Sequence, residues 1–230
     1  MKRLSTPVNP SRKSSAASVT PFGVRPASTT WPNPLHREAL AIRRKLFGDE
    51  DLQVTESLNN LGLVLRSKGA RDEAEPLYRK AVAIQRRQPA MSIPFVATYE
   101  NNLAMLLEEK GNYTEAETLL REVLTLKKQR LGNEHPDVAL GLNNLGLVLT
   151  REDHLEEAET VFREALVLRE KLLGEEHPDV AQSLNNLAAV LRKKHHNDQA
   201  EPLLREALRV YRRALGADHP SVGSARLPYR

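Results

Sequence analysis

A period of 42 residues runs through most of this 230-residue chain and limits its fold more than any other property. Leu-Asn-Asn-Leu occurs at 58–61, 142–145 and 184–187, and Glu100-Asn101-Asn102-Leu103 fills the gap. Ala-Glu pairs follow in the same phase at Ala74-Glu75, Ala116-Glu117, Ala158-Glu159 and Ala200-Glu201. Leu131-Gly132, Leu173-Gly174 and Leu215-Gly216 close units, with Phe47-Gly48 in register. His135-Pro136, His177-Pro178 and His219-Pro220 open them. Landmarks in fixed phase over four units define a repeat protein, in which stacked neighbours complete each other's core.

Each unit reads as two helices. Val138, Leu142, Leu145 and Leu149 keep the three-or-four spacing of one helical face. Pro136 suits a first turn, where its missing N–H costs nothing, and Glu134 and Asp137 complement the positive helix end. A turn at 151–154 leads to a second stripe, Leu155, Ala158, Phe162, Ala165 and Leu168, which ends near Gly174. Small residues recur in the first helix at Gly62, Ala104, Gly146 and Ala188, where two helices can approach closely. The turn holds Gly69 and Gly111 in two units but Asp153 and His195 in the others. If that position needs positive φ, the later turns carry strain of up to roughly 1 kcal/mol each. Between the first two full units, Pro89 is expected to stop the second helix about a turn early.

These features resemble the tetratricopeptide repeat, here lengthened from its usual form, and in wording the kinesin light chain type of that array. The carriers are His177-Pro178-Asp179-Val180-Ala181, Ser183-Leu184-Asn185-Asn186-Leu187-Ala188 and the run Ala200-Glu201-Pro202-Leu203-Leu204-Arg205-Glu206-Ala207-Leu208. The resemblance covers about residues 33–222, and nothing resembles the coiled coil of a motor light chain. It implies an all-α, right-handed superhelical solenoid of antiparallel helix pairs. The expected organisation is a helix at 34–47 followed by repeats at about 51–88, 93–130, 135–172 and 177–214, within an array spanning 34–222. Residues 1–33 form a tail and 223–230 a truncated stub.

Asn33-Pro34-Leu35-His36-Arg37-Glu38-Ala39-Leu40 matches the second helix around Pro202, so the chain enters the array midway and is expected to expose Leu35, Ala39, Leu40 and Ile42. His219-Pro220-Ser221-Val222 starts a new first helix that Pro228 ends. A fragment of a longer array, or an array joined to unrelated upstream sequence, is the expectation.

The first 34 residues hold six of the fourteen prolines and ten Ser or Thr. They lack the apolar area to offset chain entropy and are expected to be disordered. Their composition also suits an organellar transit peptide, but Pro7, Pro10, Pro21 and Pro26 interrupt any long helix, and a cytoplasmic location is expected. Lone Trp31 reads as a linker residue. Charge changes meaning at this boundary. The chain has 34 basic and 30 acidic residues and a pI near 9.4. Five of the basic residues and none of the acids lie in the tail, leaving 29 against 30 in the body, a net −1. A near-neutral body with few aromatics removes the support for nucleic-acid binding. No run approaches the roughly 18 apolar residues of a membrane span.

Chemistry has little to stand on. Cysteine is absent. His135, His177 and His219 recur once per repeat, about 10 Å or more apart by the diameter of a helix, too far to share a metal; capping or packing of the linker is expected of them. Adjacent His195 and His196 do not share a helical face. No nucleophile, base or phosphate-loop constellation appears, so no catalytic residue, cofactor or metal is expected. The asparagines are more informative, because Asn is a modest helix former and needs a reason to recur. The resemblance implies that Asn60, Asn102, Asn144 and Asn186 line a concave groove and bond an extended peptide. The other reading is that one asparagine per pair satisfies a neighbouring helix and orders the stack. Arg66, Arg151, Arg192 and Lys193 lie one to two turns further along, interrupted by Glu108 and Glu109. Such a groove favours an acidic protein or peptide ligand with an apolar anchor. The function expected is a non-catalytic interaction scaffold. The alternative is a partner-sensing or substrate-recruiting part of a larger signalling enzyme or nucleotide-binding switch protein.

Overall fold

A computed structural model describes residues 33–87 and 93–216. The tail with Trp31, Pro89, His219 and the stub at 223–230 lie outside the described residues. Nine α-helices and no strands occur among the described residues: α1 (Asn33–Phe47), α2 (Leu52–Ser67), α3 (Arg71–Arg86), α4 (Ile93–Glu109), α5 (Tyr113–Leu131), α6 (Pro136–Arg151), α7 (Leu155–Leu173), α8 (Pro178–Lys193) and α9 (Asn197–Leu215). Each helix packs on the next in sequence, and the first helices also meet directly, α2 against α4 and α6 against α8. That side is therefore the inner, concave side of an all-α solenoid of antiparallel pairs. The second helices α3, α5, α7 and α9 form the outer side.

Local chemistry accounts for the boundaries. Pro136 and Pro178 are the first helical residues of α6 and α8. The preceding His135 and His177 are N-caps, each accepting a bond through Nδ1 from the backbone N–H two residues on, at 3.1 Å. The rim histidines within the described residues thus have the capping role expected of them. Gly69 and Gly111 have φ of 78° and 82°, and Asp153 and His195 hold the same left-handed conformation at 64° and 62°. The turn needs positive φ in every unit, so the strain in the last two is real. α3 has 16 residues where α5, α7 and α9 have 19, an early stop of three residues.

Within each hairpin, size is matched across the interface. A Cβ added at Gly146 would lie 2.8 Å from the Phe162 ring, and one at Gly62 2.7 Å from Tyr78. Sixteen residues separate the partners in both cases. The same spacing from Ala104 and Ala188 reaches Leu120 and Leu204, all four buried. Glycine therefore goes with an aromatic ring and alanine with leucine. At the solenoid's beginning, α1 packs on α2. Leu35 and Ile42 are exposed as expected, whereas Leu40 is buried, because α2 covers that edge of the helix.

One column departs from the pattern. Glu100 stands where the other units have Leu58, Leu142 and Leu184, and its side chain is 2% exposed. Oε1 accepts from Arg86 Nε at 2.6 Å, while Oε2 is buried without a partner among the described residues. Burial pushes the carboxyl above its ordinary value of 4.5, against the pull of Arg86. A raised carboxyl pKa favours the folded state at low pH, and that contribution is lost as pH rises through the folded value.

Two measurements follow from this packing. Gly146→Ala should cost roughly 1–3 kcal/mol in urea unfolding, and Phe162→Leu in the same chain should recover much of the loss by recreating the alanine–leucine pair. Glu100→Leu should stabilise the chain at neutral pH by roughly 1–3 kcal/mol, since Arg86 retains Glu122. Its advantage over the parent should grow as pH rises from about 4 to 7.

Candidate functional site

The inner face is a lattice with an offset of 43 residues, one repeat plus one position. Asn102 Nδ2 donates to Asn59 Oδ1 at 2.7 Å, Asn144 to Asn101 at 2.6 Å and Asn186 to Asn143 at 2.8 Å. The second asparagine of the last three pairs thus reaches back to the first asparagine of the preceding repeat, while Asn60 heads the ladder without such a bond among the described residues. Asn60, Asn102 and Asn186 are half-buried, and Asn144 is 7% exposed. Of the two readings of these residues, stack ordering is what their hydrogen bonds perform. Each bond uses one amide N–H and leaves the second N–H and the carbonyl of the donor residue.

The cations follow the same offset. Arg66 donates to Glu109 Oε1 through Nη2 at 2.6 Å and Nε at 2.9 Å, and Arg71 holds the other oxygen at 2.9 Å. Burial opposes ionisation of Glu109, but these two guanidinium groups outweigh it and hold the carboxyl below its ordinary range. Arg151 Nε lies 3.0 Å from Glu108 Oε1. Lys193 Nζ donates to the Thr150 carbonyl at 2.8 Å and lies 3.4 Å from Asp153. The Arg192 side chain is exposed and has no bond among the described residues. Three of the four cations are therefore tied to a neighbouring repeat, and the acids that interrupt them in sequence are their partners in space.

The composition of the groove floor was missed in sequence. Leu63, Met105, Leu147 and Ala189 lie three residues after the second asparagines, on the same helical face. The first three are half-buried and Ala189 is exposed. One turn before Asn144, Leu140 is 42% exposed, where Glu56, Thr98 and Gln182 stand in the other units. The signal was present as a column at the period of 42, obscured because leucine there also fits a core stripe. The floor thus pairs a line of amides with a line of aliphatic side chains, which suits backbone bonding beside apolar anchoring.

On the outer face the offset is 36. Arg79 clasps Glu115 with 2.6 and 2.8 Å bonds, Arg121 clasps Glu157 at 2.7 and 3.0 Å, and Arg86 and Lys128 reach Glu122 and Glu164. Between the layers, second helices bolt onto the next first helix. Arg169 Nη1 donates to the Asp179 carbonyl at 2.7 Å and Ser183 Oγ at 2.9 Å, and Lys127 Nζ reaches the Asp137 carbonyl at 3.2 Å. Desolvation lowers the pKa of both cations.

The amide ladder makes a measurable unit. Asn144→Ala strands the Asn101 carbonyl and should cost about 1 kcal/mol, as should Asn101→Ala. The double variant should cost less than the sum, with the coupling read from a thermodynamic cycle of urea unfolding.

Comparison with known proteins agrees with this architecture. The sequence matches the tetratricopeptide repeat family model over residues 34–87, 95–170, 137–213 and 179–227. Curated protein sequences return no match. Among solved structures, BtubC (BKLC) from P. vanneervenii is similar at a TM-score of 0.71 and 20% identity, covering 84% of this chain and 81% of that one. A Podosopora anserina protein of nearly identical TPR-like repeats, described as kinesin light chain, gives 0.69 and 23%, over 80% and 87% of the two chains. The apo form of RapI gives 0.66 and 16%, over 80% of this chain and 49% of that one. At these identities the likeness is one of fold. Among the described residues no helix is long and apolar enough to cross a membrane. An array of this kind is an interaction scaffold by construction, since each repeat adds a strip of similar surface. With four matched segments spanning the helical body, the chain belongs to the tetratricopeptide repeat family.

Proposed function

We propose that this array, residues 34–222, is a non-catalytic scaffold that binds an extended segment of a partner protein along its concave face. The observation that carries the reading is the floor of the groove, with amides half-buried at Asn60, Asn102 and Asn186 and buried at Asn144, beside a partly exposed aliphatic line. Amides offer bonds to a peptide backbone in any sequence context, and the aliphatic line gives apolar side chains a place to anchor. On this reading Asn60, Asn102, Asn144 and Asn186 contribute their remaining amide capacity. Leu140 and Leu147 receive the anchor. Arg66 and Arg151, already held by Glu109 and Glu108, form a balanced rim and add little net attraction for acid. Acidic residues of the ligand then favour the α8 end, where Arg192 is uncommitted.

A peptide array probed with the full chain tests this reading, followed by titration of the strongest binders. Leu140→Glu and Arg192→Glu alter exposed side chains and should leave the unfolding curve in place. Leu140→Glu should weaken peptides with apolar anchors at least about tenfold, and Arg192→Glu should weaken those with acidic residues. Unchanged affinity in both variants would place the ligand elsewhere.

A further inference from the structure

The outer side of each hairpin carries a recurring carboxylate whose neutralisation changes once. Glu75, Glu117 and Glu159 occupy one column, 18–19% exposed, and each accepts a bond from the arginine four residues on. In two units the next repeat supplies a lysine 35 residues later. Lys110 Nζ lies 2.6 Å from Glu75 Oε2, and Lys194 Nζ 2.8 Å from Glu159 Oε2. In the unit between them that residue is Glu152. A second carboxylate therefore points at Glu117 where the fold otherwise puts an ammonium group. His154, at the start of α7, completes the cluster, with Nδ1 3.6 Å from Glu117 Oε2.

The bonding already present leaves one atom from each side chain. Arg121 takes Glu117 Oε1. Thr114 Oγ1 donates to Glu152 Oε1 at 2.8 Å. Glu152 Oε2 is shut off from solvent and receives no N–H or hydroxyl among the described residues, facing instead the carboxyl of Glu117. One donor atom from each of Glu117, Glu152 and His154 lies within 4.8 Å of the other two.

We propose that Glu117, Glu152 and His154 bind a divalent transition-metal ion such as zinc, which takes the place of the missing lysine ammonium. Two carboxylate oxygens and one imidazole nitrogen match the donors such ions accept, with water completing a tetrahedron. A purely oxygen-seeking ion such as magnesium or calcium gains nothing from the imidazole. Tetrahedral zinc holds its ligand atoms about 3.4 Å apart. The His154–Glu117 distance already approaches this. Side-chain rotation by Glu152, which sits in the turn between α6 and α7, closes the rest. The ion would join α5 to that turn and so fasten the second full repeat to the third. The histidines that recur at the period of 42 do not take part. The relevant sequence signal is the column Lys68, Lys110, Glu152, Lys194, in which the charge reverses once.

The test uses the full chain without a histidine tag, stripped by chelator and titrated with zinc chloride against a chromophoric competitor. The parent should bind one zinc ion at this site and show a Tm that rises with zinc concentration. Glu152→Lys restores the ammonium of the flanking repeats. It should fold with an equal or higher Tm in the absence of metal and lose at least about tenfold in affinity. His154→Asn, an exposed change to the residue found at Asn112, should lose the site as well and supplies the answer if Glu152→Lys does not fold. Zinc binding that persists unchanged in His154→Asn, or a parent that takes up no zinc at a large molar excess, would overturn the assignment.

Discussion

A hairpin of two amphipathic helices has more apolar surface than its own two helices can cover, and the whole architecture answers that excess. The internal seam is closed by matched volumes, glycine under an aromatic ring in two hairpins and alanine in register with leucine in the others. The outer edges of α1, α3, α5 and α7 are closed by α2, α4, α6 and α8, each the first helix of the following unit. Stacking is thus a condition of folding, and the groove is what stacking leaves on one side.

Stacking alone does not fix how one hairpin sits on the next, because an apolar seam tolerates sliding. Polar bonds supply the register. Amide pairs at an offset of 43 join the first helices. Clasped arginine–glutamate pairs at 36 join the second helices. Buried Lys127 and Arg169 tie the end of a second helix to the first turn of the next. A slip by one residue breaks all three sets at once. The same bonds use much of the charge that the sequence places along the groove, so a ligand meets a surface already largely neutralised.

Periodicity made the fold legible. The 42-residue phase, the proline-initiated helices and the small residues at 62, 104, 146 and 188 each have one physical meaning, and the helices lie where those meanings put them. The site was legible only in part. Asn102 and Asn144 stood out as recurrent polar residues in a helix, but recurrence says nothing about which of two neighbouring surfaces a side chain addresses. Arg66 and Glu109, or Glu108 and Arg151, lie 43 residues apart, and a one-dimensional reading shows them as interruptions of a pattern instead of partners. Glu152 carries its information by breaking the lysine column at 68, 110 and 194, which a search for repetition does not bring out.

The two ladders sit on opposite sides of the axis about which the array bends. The outer one consists of ion pairs between side chains 32–50% exposed, open to screening by dissolved salt over a length of about 8 Å at physiological ionic strength. The inner one combines the Arg66–Glu109 and Arg151–Glu108 pairs with uncharged amides, and such screening barely touches the amides. Salt therefore weakens the convex edge more than the concave edge, where amide pairs persist beside the ion pairs. The medium thus acts unevenly across the array, more on the bonds between second helices than on those between first helices.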